Sequence, residues 1–127
     1  MDKKHILIVE DDADLASLLS ERLTSAGFAV EVAADGEKAL EAAKKEPDLI
    51  MLDILLPKLN GLSVLKTIRE KSAWGANVSV IIMSNLNPDD DKVINAVSSY
   101  SPVFYLVKAE HSPCDIVEKI KSILRPK

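Results

Sequence analysis

Four apolar runs in this chain end on residues able to do chemistry. Ile6-Leu7-Ile8-Val9 leads into Glu10-Asp11-Asp12, and Leu49-Ile50-Met51-Leu52 leads into Asp53. Val80-Ile81-Ile82-Met83 stops at Ser84, and Phe104-Tyr105-Leu106-Val107 stops at Lys108. Gathered at one place, carboxylates, a hydroxyl and an amine have separate uses. Carboxylate oxygens that are few in number and open to water suit Mg²⁺ with several waters retained. Mn²⁺ or another divalent cation would substitute. A carboxylate can also act as nucleophile and form an acyl phosphate. Phosphoryl transfer asks for little more than that nucleophile in line and positive charge on the transferred oxygens. Asp53 fits the first task, while Ser84, Lys108 and a cation fit the second.

Such residues meet only if the elements beneath them are neighbours. Short apolar runs without polar alternation read as parallel strands buried on both faces. Between them the chain turns helical. Leu15, Leu18, Leu19, Leu23 and Ala26 fall at helical spacing, with Gly27 as the stop. Phe28 to Ala33 reads as a half-buried strand. Ala39, Leu40 and Ala43 mark a second helix entered through Asp35-Gly36 and closed before Pro47. Leu62, Leu65 and Ile68 mark a third, after a loop shaped by Pro57 and Asn60-Gly61. Asn87-Pro88 opens a fourth helix and Ser112-Pro113 a last one, striped by Ile116, Val117, Ile120, Ile123 and Leu124. Five strands alternating with five helices predict an α/β fold, a flavodoxin-like doubly wound parallel sheet of order 2-1-3-4-5 with helices on both faces. In that order strands one and three are adjacent at the switch point, about 4.8 Å apart. Asp11 and Asp53 then become near neighbours, and two carboxylates about 4 Å apart repel by roughly 4 kcal/mol at an effective dielectric near 20. A cation between them removes that cost.

Composition narrows the classes. At 127 residues the chain predicts one domain, 1–127, with a core of its own. A formal charge of −4 and the lack of a basic block argue against direct nucleic-acid binding. The first residues do not read as a signal peptide, and no run reaches the length of a membrane span, so no membrane insertion is expected. The single Cys114 excludes an internal disulfide and fits a cytoplasmic setting.

The stretch Asp53-Ile-Leu-Leu-Pro57-Lys-Leu-Asn60-Gly61, with the strand-end set, resembles the receiver domain of response regulators in two-component signalling, over essentially the whole chain. The resemblance implies a phosphoacceptor at Asp53 and a metal-binding acid pair in Glu10 and Asp11, with the Leu55 carbonyl as a further ligand. It implies a switch hydroxyl at Ser84, a phosphate clamp at Lys108, and an aromatic switch at Tyr105, three residues earlier. It further implies a sensor histidine kinase or histidine phosphotransfer protein as donor, and a downstream protein target. That target would read the face formed by the helix opened at Asn87, the fifth strand and the last helix. Asn85 after the hydroxyl, Ala109 after the lysine, Ser101-Pro102 and Val103-Phe104 depart from the usual pattern without removing a functional group. Alanine after Lys108 predicts a trans peptide there, since cis costs a non-proline bond about 2.5–4 kcal/mol. A stand-alone receiver is the expectation. The same domain cut from a longer regulator, with Leu124-Arg125-Pro126-Lys127 as the start of a linker, is the runner-up.

Other features read as structural. Asp12 suits a helix N-cap, and Asp89-Asp90-Asp91 a solvated helix start. Cys114 suggests no redox role, and His5 and His111 lack metal-ligand spacing. Trp74 is expected in the loop before the fourth strand, at the end of the sheet away from the acids. A flavin or nucleotide protein of this topology needs a Gly- or Ser/Thr-rich loop after the first strand, where Glu-Asp-Asp-Ala-Asp stands instead. A haloacid-dehalogenase-like phosphatase resembles the chain in its Asp nucleophile but has a second Asp two residues on, where this chain has Leu55. No turnover enzyme is therefore expected. A pseudo-receiver that binds without being phosphorylated would lack part of the acid, hydroxyl and lysine set, which is complete here.

Overall fold

A computed structural model describes residues 3–53, 61–84, 103–107 and 112–124, with the side chains at 62, 84 and 103–107 outside it. The expected parallel sheet forms from β1 (His5–Val9), β2 (Ala29–Ala33), β3 (Leu49–Asp53), β4 (Ser79–Ser84) and β5 (Val103–Val107) in the order β2-β1-β3-β4-β5. Each neighbouring pair is parallel. The helices described are α1 (Ala13–Ser25), α2 (Gly36–Ala43), α3 (Gly61–Lys71), α4 (Ala73–Asn77) and α5 (Pro113–Leu124).

The runs lack alternation because both faces are covered. Leu7, Val9, Ile50, Leu52, Val80 and Ile82 join Ala39, Ala42, Val64, Leu65 and Ile68 in one cluster, under α2 and α3. Ile6, Ile8, Leu49, Met51, Ile81 and Met83 join Leu19, Leu23, Ile116 and Ile120 in the other, under α1 and α5. Fully burying such a side chain contributes about 1.5–3 kcal/mol, so each helix is held mainly by its apolar stripe.

Local signals set the boundaries. Asp12 caps α1, its carboxylate accepting from the amides of Asp14 and Leu15 at 3.1 and 3.2 Å. The stop at Gly27 is as expected: φ is +104°, a region that favours glycine, and Gly27 and Phe28 donate to the carbonyls of Thr24 and Leu23. Asp35 caps α2 through the Lys38 amide at 2.9 Å. Ser112 and Asp115 bond each other's backbone amides at the start of α5.

One element departs from expectation. Trp74 does lie at the sheet end away from the acids, but within the short helix α4 rather than a loop. Ser72 caps that helix, accepting from the Gly75 amide at 3.0 Å. The buried Arg69 guanidinium fastens its far end, donating to the carbonyls of Gly75 at 2.9 Å and Val78 at 2.6 Å. Burial lowers the pKa of Arg69 from its usual value. The Trp74 indole donates from Nε1 to the Pro47 carbonyl at 3.1 Å, tying α4 to the start of β3. The helix expected from Asn87 lies outside the described residues.

Candidate functional site: an acid cluster at the carboxyl edge of the sheet

Register explains how the acids meet. β1 and β3 pair Ile6 with Leu49, Ile8 with Met51 and Val9 with Leu52. One step further, Glu10 and Asp53 come level at the carboxyl ends of adjacent strands. Side chains alternate along a strand, so Glu10 follows Ile6 and Ile8, and Asp53 follows Leu49 and Met51, toward the α1 and α5 face. Asp11 leaves the strand and turns outward ahead of α1. Glu10 is 1% exposed and Asp53 5%, whereas Asp11 is exposed. The Glu10 amide donates to the Ala33 carbonyl at 3.0 Å, holding that end of β1 against β2.

One carboxylate oxygen from each of Glu10, Asp11 and Asp53 lies within 4.8 Å of the others. Among the described residues this is the one group of three potential ligands so placed. The donor set is all oxygen and all anionic, two members buried and one open to solvent. That chemistry fits a hard divalent cation that keeps part of its hydration shell. Beside it, Ala13, Ala16, Ser17, Ser20 and Val32 line an open groove of about 470 Å³ that reaches Glu10 and Asp11.

The other strand ends lie on the same edge. Asp53 pairs with Met83, so Ser84 stands one residue beyond the acid on the next strand. Ser84 pairs in turn with Val107, the last residue of β5. The Ser84 and Tyr105 side chains, Leu55, Lys108 and the Lys108–Ala109 peptide all lie outside the described residues. So does the face that the helix after Asn87 would contribute to. Sequence reasoning located the acids but gave no hint that neighbours Glu10 and Asp11 occupy opposite environments, which the departure of the chain from the sheet at Asp11 decides. It also missed Arg69, although position 69 stands four residues after the core residue Leu65 and so falls on the buried stripe of α3.

Comparison with known proteins agrees with this geometry. The response regulator receiver domain family matches residues 6–121. The chain is 36% identical over 96% of its length to the alkaline phosphatase synthesis transcriptional regulatory protein PhoP of Bacillus subtilis (strain 168), covering 49% of that protein. It is 37% identical over 94% of its length to the transcriptional regulatory protein CpxR of Escherichia coli (strain K12), again covering 49%. It thus spans about half the length of these curated relatives. Among solved structures it is similar to the receiver domain of the Francisella response regulator 1452, with a TM-score of 0.82 and 27% identity over 97% of this chain and 98% of that one. A CheY-like receiver domain protein from Methanospirillum hungatei JF-1 gives a TM-score of 0.84 at 26% identity, covering 98% and 95%.

Proposed function

The chain belongs to the response regulator receiver domain family, and we propose that it is a phosphorylatable receiver whose phosphoacceptor is Asp53. Receiver domains are signalling modules rather than turnover enzymes, and response regulators receive phosphoryl groups from histidine kinases and act on downstream targets. The observation that carries the proposal is the meeting of Glu10, Asp11 and Asp53 within 4.8 Å at the carboxyl ends of adjacent strands.

Asp53 then attacks the phosphorus of a phosphohistidine on a kinase or phosphotransfer protein. A carboxylate oxygen forms the new P–O bond as the P–N bond breaks, and the imidazole leaves with a proton. Burial of Asp53 at the strand end fixes the direction of attack, since β3 is paired on both sides. Mg²⁺ held by Glu10, Asp11, Asp53 and the Leu55 carbonyl would supply positive charge against the carboxylates and the phosphoryl oxygens. Ser84 takes a second phosphoryl oxygen, and Lys108 a third. Tyr105 turns inward as Ser84 moves, which changes the surface around β5 and α5 that a downstream protein reads. The groove along α1 gives a protein donor room to reach the acids.

We read residues 1–127 as one receiver domain in a cytoplasmic setting. No described helix is long and apolar enough to cross a membrane. The transcriptional outputs named for the curated relatives belong to proteins about twice as long and are not carried to this chain.

Incubation with acetyl phosphate and Mg²⁺, read by intact mass, tests the reading. One phosphoryl group should add to the wild type, none should add without a divalent cation, and none should add to Asp53→Asn. Full labelling of Asp53→Asn would remove the assignment.

A further inference from the structure

On the edge of the sheet opposite the acids, α2, α3 and α4 enclose a cavity of about 340 Å³. Ala43 and Ile68, both buried, form its floor, and the half-buried Leu40 and Trp74 form its walls. Exposed Lys44, Glu46, Lys71 and Ser72 stand at its rim. The cavity is built before any ligand arrives. The Trp74 indole is held by its bond to the Pro47 carbonyl at 3.1 Å. Arg69, buried in α3, fixes α4 through the carbonyls of Gly75 and Val78. Glu46 sits at φ +54° with its amide bonded to the Ala43 carbonyl at 3.0 Å, which sets the rim after α2.

The charges around this cavity cancel. Lys44 meets Glu41 at 2.9 Å, one turn back on α2. The Glu41 carboxyl lies below its usual range, first through its hydrogen bond and charge contact with Lys44, with Lys71 adding in the same sense. Glu46 brings a second carboxylate, so two acids balance two lysines. The end of α2 adds little charge of its own, because the amides of Lys44, Lys45 and Glu46 already occupy the carbonyls of Glu41, Ala42 and Ala43. An ion of either sign therefore meets as much like charge as opposite charge, and it still loses hydration over an apolar floor. A neutral ligand avoids that loss. One directed polar contact is open to it: the Ser72 hydroxyl accepts from the Gly75 amide at 3.0 Å and keeps its own hydrogen to donate. Small-molecule sites occupy about 300–1,000 Å³ and are lined mainly by apolar and aromatic groups with few polar ones. This cavity stands at the lower end of that range, which suits one short chain or ring system.

We propose that this cavity is a small-molecule site for a neutral ligand with an apolar body and one uncharged oxygen head. The body lies on Ala43 and Ile68 between Leu40 and Trp74, and the head accepts from the Ser72 hydroxyl. The site stands on the opposite edge from Asp53 and does not depend on the phosphotransfer reading.

Trp74 is the only tryptophan of the chain, so its emission reports occupancy directly. The full chain is titrated with octanol, and with octanoate below its micelle threshold and octylammonium as anionic and cationic counterparts of the same length. Octanol should give a saturable change, and both ions should bind about three- to tenfold more weakly. Two rim variants then tip the balance in opposite directions. Glu46→Gln should tighten octanoate and weaken octylammonium by about two- to threefold each, and Lys71→Gln should do the reverse. Octanol binding should be unchanged in both. The proposal is overturned by an unsaturable octanol response, by either ion binding the wild type as tightly as octanol, or by rim variants that leave the two ions unmoved.

Discussion

Replacing Asp53 by Asn should stabilise the protein without metal, yet remove most of what Mg²⁺ adds. The reason lies in the spacing of the acids. Oxygens of Glu10, Asp11 and Asp53 lie within 4.8 Å of one another, and at that distance two unit charges repel by about 0.9 kcal/mol in water and about 3.5 kcal/mol at an effective dielectric of 20. Asp53 takes part in two of the three pairs. Its pair with buried Glu10 sits toward the upper figure, and its pair with exposed Asp11 toward the lower. An asparagine amide accepts hydrogen bonds less strongly than a carboxylate, which returns part of the gain. A net stabilisation of about 1–3 kcal/mol in EDTA is expected. At a urea slope between about 1 and 2 kcal/mol per molar, the midpoint rises by roughly 0.5–3 M.

Mg²⁺ should act in the opposite sense. A ligand at ten times its dissociation constant stabilises the folded state by about 1.4 kcal/mol. Wild type should gain that amount, and Asp53→Asn much less, so the gap seen in EDTA narrows with each addition of metal. Asp11→Asn should follow the same pattern with a smaller gain, because its charge is already screened by solvent. Urea denaturation of the three proteins across a Mg²⁺ series measures both effects. An Asp53→Asn protein less stable than wild type in EDTA, or equal stabilisation of both by Mg²⁺, would refute the reasoning that these acids repel each other and share a cation.

Two further outcomes test the opposite edge. Arg69→Met should cost about 2–4 kcal/mol in urea denaturation, because the carbonyls of Gly75 and Val78 lose a charged donor in a buried setting, while the folded protein still labels at Asp53. Gly75→Ala should lower Tm by about 5–10 °C: an added Cβ would collide with the Ile68 carbonyl oxygen, backbone that has little freedom to move.

Much of this architecture was legible because its strands are buried on both faces. Uninterrupted runs such as Leu49-Ile50-Met51-Leu52 marked the strands, and the polar residue after each run marked the edge where chemistry gathers. Gly27, Asp35 and Ser112 were legible because each provides a backbone function that few residue types supply. The helix α4 was not. Ala73-Trp-Gly-Ala-Asn77 is too short for a helical period and carries a glycine, and its stability comes from Ser72, Arg69 and the approach of Gly75 to Ile68. The Ser72 cap is local but is a slight signal by itself, and the Arg69 bonds and the approach to Ile68 depend on how α3 and α4 pack, which no local pattern announces. The burial of Glu10 beside the exposure of Asp11 was illegible for a related reason, since both are acids and only the point at which the chain leaves the sheet separates them.

The two edges of the sheet are linked through register. At the amino edge β1 and β3 are tied by reciprocal bonds: the His5 amide donates to the Asp48 carboxylate, and the Asp48 amide to the His5 carbonyl, both at 2.8 Å. Trp74 ties the start of β3 to α4, and Arg69 ties α4 to the residue before β4. A slip of one residue between strands would move every side chain to the other face, and Asp53 would leave Glu10 for the α2 and α3 side. Pinning the strands at one end therefore fixes the spacing of the acids at the other. Like charges within 4.8 Å would otherwise push the strand ends apart. Fully buried Val9 and Leu52, paired directly beneath them, resist that motion. An incoming cation or phosphoryl group thus meets an arrangement set in advance by packing some strand length away, and need not assemble it on binding.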